Sequence, residues 1–235
     1  MKLLAVETAT EACSAALFID GEITERFSLT ANEHTKLILP MIDSLMSEAG
    51  LIPQQLDALA FGCGPGSFTG VRIATGVIQG IAFGADLPVV PVSTLAAIAQ
   101  DYFDSDNIIE QNTAFTAMDA RMGEIFWGVY NRDEQGYAKL IGKEAVTLAD
   151  DIAFPALTGI GLGSGWGVYE DKLMLRLAGK VNHSQVDIRP RARAIARLGA
   201  RGFELGIAVA VELAMPVYLR DKVAKTEAER KVLLT

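Results

Sequence analysis

The order of short apolar segments in the first hundred residues restricts the fold most. Residues 3–6, 14–19 and 22–29 predict three strands, with an Asp20-Gly21 turn joining the last two. Further strands at 56–62 and 87–92 then alternate with helical segments. Strands that alternate with helices after a hairpin indicate a mixed sheet covered by helices. The sequence therefore predicts an α/β fold.

The first predicted helix follows the third strand. Asn32 is a suitable N-cap and Gly50 a suitable end. A second helix is predicted at 71–84, and Ser93 opens a third. Apolar residues spaced three and four apart define one face of the first helix. They are Leu37, Ile38, Met41, Ile42, Leu45 and Met46.

The same order of segments recurs later in the chain. Residues 115–130 repeat the strand–turn–strand pattern of residues 5–18, and residues 160–167 resemble the glycine-rich residues 61–67. We therefore predict two similar lobes, at 1–106 and 107–220, the second with a shortened helix layer. The polar residues 221–235 are predicted to form a C-terminal tail.

Charge and composition exclude several classes of function. The net charge of −8 argues against a broad electrostatic grip on nucleic acid. The two cysteines and two histidines form no zinc motif. Two cysteines are too few for a disulfide framework, which favours a reducing compartment. The N-terminus has no signal-peptide pattern, and the apolar stretches fall short of the ~18 residues of a membrane span. We expect a soluble, cytoplasmic protein without a metal.

A glycine-rich segment joins a predicted strand to the second helix. Glycines allow close backbone approach, and the amides at a helix N-terminus favour an anion. The segment lacks the Lys-Ser/Thr pair of a Walker A loop. It is either an anion or nucleotide loop or a tight loop packed against its own lobe. The candidate anion-binding residues are Gly64, Gly66, Ser67, Thr69 and Gly70.

The second helix carries a glycine every four residues, at Gly76, Gly80 and Gly84. Each glycine inside a helix costs about 1 kcal/mol relative to alanine, so a neighbouring backbone is expected to come close. That neighbour is either the chain's own sheet or first helix, or a helix of another protein. The wide apolar band of the first helix favours another protein.

Other residues allow two interpretations each. Cys63 is a nucleophile or a buried thiol. His34 is a cap neighbour or contact residue rather than a base. The hairpin at Glu7 and Glu11 is structural rather than a phosphate cradle, because two acids repel an anion. The arginine run from Arg189 to Arg201 is a solvated face or a contact for RNA phosphates or an acidic partner.

Three segments together resemble a known family. Residues 4–10, the block GPGSFTGVR at 64–72 and the residues PVYLR at 216–220 look like the TsaB family, also called YeaZ. The resemblance covers nearly the whole chain, and the GPGSFTGVR block is its most specific part. It implies the two-lobed architecture of actin, Hsp70 and sugar kinases, in agreement with the predicted duplication.

The resemblance also implies a function. The family is a non-catalytic subunit in the bacterial synthesis of N6-threonylcarbamoyladenosine at position 37 of tRNAs that read codons beginning with A. A TsaD-type paralogue transfers the group, and a TsaE-type P-loop ATPase joins the assembly. The implied subunit binds no cofactor tightly, leaves ATP and ADP to its partners, meets tRNA through the complex and forms a homodimer when alone.

The metal-binding H-x-x-x-H of TsaD-type sequences corresponds here to the segment from Ser93 to Ala97, which has no histidine. The resemblance therefore implies no metal. It also places the family's dimer interface on the first two helices. The residues so implied are His34, Leu37, Ile38, Met41, Ile42, Leu45, Met46, Arg72, Thr75, Gly76, Gln79, Gly80 and Phe83.

Two enzymatic alternatives stay open. The first is a small-molecule or nucleotide-dependent transferase that acts in the cleft between the lobes, where Glu7 and Asp119 would face each other. The second is a metallopeptidase, which the sequence disfavours because it lacks the metal ligands.

Overall fold

The computed structural model describes residues 1–30, 32–105 and 111–220. Its first sheet has the strand order β3-β2-β1-β4-β5. The first three strands are antiparallel, and β1, β4 and β5 are parallel. This mixed sheet is the one predicted. Its strands are β1 (Lys2–Glu7), β2 (Ala12–Ile19), β3 (Glu22–Leu29), β4 (Ala58–Gly64) and β5 (Val89–Ser93).

The second sheet repeats the first. Its order is β11-β10-β6-β7-β8, and β9 also pairs with β7. Reversed, this order matches the first sheet strand for strand, with β6 in the place of β1 and β10 in the place of β4. The predicted duplication is confirmed. The strands are β6 (Thr113–Asp119), β7 (Glu124–Arg132), β8 (Ala138–Leu140), β9 (Ala145–Leu148), β10 (Gly159–Leu162) and β11 (Val181–Gln185).

Five helices cover the sheets in the described residues. They are α1 (His34–Glu48), α2 (Phe68–Ala85), α3 (Thr94–Phe103), α4 (Ser164–Arg176) and α5 (Ala192–Glu204). No helix lies between β9 and β10, where α1 would have its counterpart, so the helix layer of the second lobe is shorter, as predicted.

Successive side chains of β1 point to opposite faces of the first sheet, and this alternation determines the layers of the first lobe. Leu4 and Val6 lie under α1 and α2, whereas Leu3 and Ala5 lie under α5. Small side chains let α5 approach closely, because a Cβ on Gly199 would lie 2.5 Å from the Cβ of Ala60. Helices α1 and α2 therefore form one outer layer, and α5 covers the other side of the sheet.

The division into lobes differs from the predicted one. Helix α5 and Ala214 pack into the first lobe, although the sequence assigned both to 107–220. Leu95 and Ile98 of α3 pack against Tyr130 of the second lobe. The chain thus returns from the second lobe to the first before α5. The predicted boundary at 106/107 and the tail at 221–235 lie outside the described residues.

The helix starts also differ from expectation. Glu33, not Asn32, is at the N-cap of α1, because Asn32 adopts a left-handed φ of 66° in the preceding turn. Helix α2 begins three residues before the predicted start, because the Ser67 side chain caps it.

Helix α2 is 18 residues long, and by length and composition alone it could cross a membrane. The expectation that this segment is too short to span is therefore wrong. Val71, Ala74 and Ile78 of this helix are buried in the core of the first lobe.

Candidate partner-binding face and interlobe cleft

The glycine-rich loop before α2 packs against the turn between β1 and β2. The Ser67 amide donates to the Ala9 carbonyl at 2.8 Å. A Cβ on Gly66 would lie 2.6 Å from that carbonyl oxygen, and one on Gly70 would overlap the carbonyl of Thr8. These glycines allow two backbones to touch, which supports the tight-loop interpretation.

The same contacts engage two of the backbone amides that were predicted to bind an anion. The Ser67 amide is engaged by Ala9, and the Gly70 amide donates to the Ser67 hydroxyl at 3.4 Å. Gly64, with a φ of 116°, lies against the carbonyl of Val217. Gly66, Ser67, Thr69 and Gly70 line the cleft between the lobes, so an anion there remains a prediction.

The cleft has a volume of about 1200 Å³ and is lined by both lobes. The first lobe contributes the β1–β2 turn and the start of α2. The second contributes the β6–β7 turn and the start of α4. A C-terminal segment closes one side. The residues that line the cleft include Thr10, Glu11, Met118, Asp119, Arg121, Phe126, Ser164, Tyr218 and Arg220.

Glu7 does not face this cleft. Its carboxylate is fully buried, accepts the Ala9 amide and occupies the space that a Cβ on Gly62 would need. Burial raises the pKa of the Glu7 carboxyl to about 7. The predicted pairing of Glu7 with Asp119 across the cleft is therefore wrong, because the Glu7 side chain turns under the loop.

Asp119 lies on the cleft wall and is engaged within its own turn. One carboxylate oxygen accepts the Arg121 amide at 2.9 Å, and the other pairs with the Arg121 guanidinium at 3.0 Å. The Asp119 amide donates to the Ser164 hydroxyl. This arrangement organises the turn and leaves Asp119 without a neighbouring acid or base partner for catalysis among these contacts.

Four of the α1 residues assigned to a partner interface belong to the chain's own core. Ile38 is 1% exposed, and Ile42, Leu45 and Met46 are also buried against the first sheet. They have almost no apolar surface left for a partner, so the prediction is wrong for them. Leu37 and Met41 are half-buried at the helix edge.

Two further residues of the predicted interface, His34 and Thr75, are also buried. Nε2 of His34 lies 2.9 Å from the Thr10 carbonyl oxygen, and the Thr75 hydroxyl donates to the Val71 carbonyl. Both side chains therefore have structural roles. The exposed surface of α1 includes Leu39 instead, which sequence analysis missed because it lies off the main apolar face.

The glycine stripe of α2 faces outward. A Cβ on Gly76, Gly80 or Gly84 would meet nothing within 4 Å in the described chain. The alternative in which the stripe packs on the chain's own sheet or first helix is therefore wrong. Arg72 is also exposed on this face, and Phe83 is 80% exposed. We call the surface of Arg72, Gly76, Gly80, Phe83 and Gly84 the α2 outer face.

The C-terminal segment lies alongside α2. The Gln79 side chain donates to the Ala214 carbonyl at 2.9 Å. The Arg72 guanidinium stacks over the Phe68 ring at 3.4 Å, with the Tyr218 ring 5.6 Å away. The sequence marked residues 216–220 only as part of the resemblance, because a short non-helical segment has no periodicity that reveals where it packs.

The arginine run is paired with acids of the same chain. The pairs are Arg189 with Glu11, Arg191 with Glu25, Arg193 with Asp101, Arg197 with Asp104 and Arg201 with Glu204. These ion pairs favour the interpretation as a solvated structural face over an RNA-binding strip.

The two positions at which the resemblance implies histidines in TsaD-type sequences, Ser93 and Ala97, are structural here. The Ser93 hydroxyl caps α3, and Ala97 is buried under α5. Within the described residues, no group of three or more His, Cys, Asp or Glu side chains is placed to hold a metal ion. Burial raises the pKa of the Cys63 thiol to about 12, which disfavours a nucleophilic role.

Two duplicated mixed sheets around a cleft define the two-lobed fold class of actin, Hsp70 and sugar kinases. The chain is similar over most of its length to proteins named tRNA threonylcarbamoyladenosine biosynthesis protein TsaB. It is 40% identical to the one from Escherichia coli K12, over 95% of this chain and 96% of that protein. It is also 40% identical to the one from Haemophilus influenzae, over 76% and 78%.

A solved structure named YeaZ from Pseudomonas aeruginosa has a TM-score of 0.85 and 39% identity, over 93% of this chain and 99% of that one. A family model described as TsaD, tRNA N6-adenosine threonylcarbamoyltransferase, matches residues 28–164. The chain therefore belongs to the TsaB (YeaZ) family of tRNA threonylcarbamoyladenosine biosynthesis proteins.

Proposed function

We propose that this chain is a non-catalytic subunit of the assembly that installs the threonylcarbamoyl group on adenosine 37 of tRNAs reading codons that begin with A. A TsaD-type paralogue carries out the transfer, and a TsaE-type ATPase joins the assembly. ATP and ADP are handled by these partners in the cytoplasm. The α2 outer face is the observation that carries the proposal, because its glycines contact nothing in the described chain.

The chemistry of this face suits a partner helix. Three helix glycines each cost about 1 kcal/mol, and no contact within the described chain offsets that cost. A helix packed on the stripe would approach backbone to backbone. Burying Phe83 would add about 2 kcal/mol, and more apolar area is needed to outweigh the cost of association.

Self-association through the same face is the expected state without the partner. A two-fold pair would bring one α2 outer face onto the other, as in most symmetric dimers. The proposal therefore includes a homodimer that the TsaD-type paralogue displaces, since both would occupy Gly76, Gly80 and Phe83.

The lack of a catalytic role and of strong direct tRNA binding in the proposal is supported by three placements. Glu7 is buried away from the cleft, and Ser93 and Ala97 are structural; the third placement, the pairing of the α5 arginines with acids of the same chain, bears on tRNA binding. We propose accordingly that tRNA is held mainly by the other subunits and that this chain binds no cofactor tightly.

The direct test is reconstitution of the modification. tRNA, threonine, bicarbonate, ATP, the enzyme that forms the activated threonylcarbamoyl group, the TsaD-type paralogue and the TsaE-type ATPase are combined with and without this chain. We expect modified adenosine only when the chain is present, and a large loss with the Gly80→Leu variant. Equal product without the chain would contradict the proposal.

A nucleotide-dependent transferase is the second candidate, and the cleft of about 1200 Å³ beside the start of α2 is the observation that favours it. Calorimetric titration of the isolated chain with ATP and with ADP separates the two. Tight binding, together with turnover of a small-molecule acceptor, would favour the transferase.

A further inference from the structure

The segment from Ala214 to Arg220, which we call the strap, crosses from the first lobe to the second. It runs along the flank of α2, with Ala214 beside Gln79 and Tyr218 beside Phe68. Its last described residue, Arg220, reaches the turn between β6 and β7. The strap is therefore a covalent and packed connection between the α2 layer and the cleft wall of the other lobe.

Three contacts fix the strap to the first lobe. The Gln79 side chain donates to the Ala214 carbonyl at 2.9 Å, and the Val217 amide donates to the Cys63 carbonyl at 2.7 Å. The Arg72 guanidinium stacks on Phe68 at 3.4 Å and faces the ring of Tyr218. Arg72 and Gln79 both project from α2, so a shift of this helix acts on the strap directly.

One side chain fixes the strap to the second lobe. Nη2 of Arg220 donates to the carbonyls of Ala120, at 3.0 Å, and Arg121, at 3.4 Å. The same guanidinium pairs with the carboxylate of Glu124. A planar guanidinium can satisfy these acceptors together, whereas an ammonium group has a different geometry.

The turn that Arg220 holds is in a strained conformation. Arg121, Met122 and Gly123 have φ values of 62°, 58° and 83° in succession. Residues with a Cβ occupy this region rarely and at an energetic cost, and Arg220 adds contacts to two carbonyls of the turn beyond the turn's own hydrogen bonds. Asp119, Ala120 and Arg121 of this turn line the cleft, so the position of the turn determines part of the cleft wall.

We propose that the strap couples the position of α2 to the conformation of the β6–β7 turn, with Arg220 as the residue that positions the turn. A displacement of α2 moves Arg72 and Gln79, the strap follows, and the turn is held or released. The use of this coupling in an assembly rests on the function proposed above, but the coupling itself is a property of the single chain.

Hydrogen–deuterium exchange on the full-length chain tests the coupling. The amides to follow are those of Ala120, Arg121 and Glu124, which the turn holds in hydrogen bonds. Arg220→Lys removes the guanidinium contacts to the turn directly and serves as the reference for a released turn. We expect about tenfold faster exchange at these amides in this variant. The remote double variant Arg72→Ala/Gln79→Leu is expected to accelerate the same amides at least threefold.

Gly84→Ala is the matched control, since it lies on the same helix face and its Cβ would touch nothing within 4 Å in the described chain. It is expected to leave the turn amides unchanged. Wild-type exchange in the double variant would overturn the coupling, as would wild-type exchange in Arg220→Lys. If the double variant fails to fold, Gln79→Leu alone carries the test.

This experiment needs no partner protein, so its failure is distinguishable from failure of the proposed function. Loss of the coupling with an intact partner complex overturns only the relay through the strap. Loss of the complex with an intact coupling overturns only the proposed function.

Discussion

Helices α2 and α4 occupy the same place in the two lobes, and their glycines behave differently. In the second lobe a Cβ on Gly161, in strand β10 just before α4, would overlap the ring of Trp166, and one on Gly165 of α4 would lie 2.9 Å from the Cβ of Ala117. Packing inside the chain explains those glycines. The glycines on the α2 outer face have no such neighbour in the described chain, and the proposed function gives them a partner helix instead.

The first strands of the two lobes show a second difference. Each ends in an acid, Glu7 at the end of β1 and Asp119 at the end of β6. Glu7 is fully buried with a raised pKa, and Asp119 lies at the cleft in an ion pair with Arg121. The corresponding strand ends therefore carry the same class of residue, which is structural in the first lobe and organises a turn in the second.

The largest expected effect on the free energy of unfolding comes from Glu7, and this effect depends on pH. The folded carboxyl has a pKa of about 7 because of burial, against 4.5 for an ordinary glutamate, so the unfolded chain ionises first as pH rises. The free energy of unfolding should fall by roughly 3 kcal/mol from pH 4.5 to above pH 7.

Glu7→Gln should remove this pH dependence in urea unfolding, while Asp119→Asn, its counterpart in the second lobe, should leave it in place. The same slope in wild type and Glu7→Gln would contradict the assignment.

Gly161→Ala should have the next largest effect on stability. The new methyl would overlap the buried ring of Trp166, so the second lobe should lose about 2–3 kcal/mol of stability. Thermal unfolding followed through tryptophan fluorescence measures the loss. A fully stable variant would show that the second-lobe glycines are not required by packing and would remove the contrast with α2.

Phe83→Asp tests whether the α2 outer face binds the partner. We expect about a 100-fold loss of affinity for the TsaD-type paralogue, or about 2.7 kcal/mol, with unchanged unfolding. Leu175→Asp on α4 is the control, because Leu175 is 81% exposed, close to the 80% of Phe83. Equal losses in both variants would point to a general effect of charge rather than to the α2 outer face.

Gly76→Ala should have the smallest effect, and the opposite sign. Its Cβ would meet nothing within 4 Å in the described chain, so the isolated chain should gain up to ~1 kcal/mol from the better helix propensity of alanine. Urea unfolding of the monomer measures the gain. Destabilisation would reveal an intramolecular contact at the stripe.

Much of the fold was predictable because it depends on local patterns. The three N-terminal strands, the helices after them and the duplication all follow from apolar periodicity and its recurrence. The return of α5 and Ala214 to the first lobe was not predictable, because helical periodicity does not indicate which sheet a helix covers. The role of Gly199, which allows α5 to approach the sheet, depends on the position of Ala60 in the folded chain.

The site was predictable in part. The outward glycines of α2 were identified from spacing, but Ile38 and Leu45 were assigned to a partner because an apolar face does not state whether a core or another protein covers it. The strap was missed, since its contacts join residues far apart in sequence, such as Arg220 and Glu124.

Hydroxyl-radical footprinting of the complex with the TsaD-type paralogue tests the central claim most directly. Phe83 and Leu175 are similarly exposed apolar side chains on the equivalent helices, so one experiment compares them under identical conditions. Our account predicts severalfold slower oxidation of Phe83 in the complex and an unchanged rate for Leu175. An unchanged rate for Phe83, with or without protection of Leu175, would contradict the assignment of the α2 outer face as the partner-binding surface.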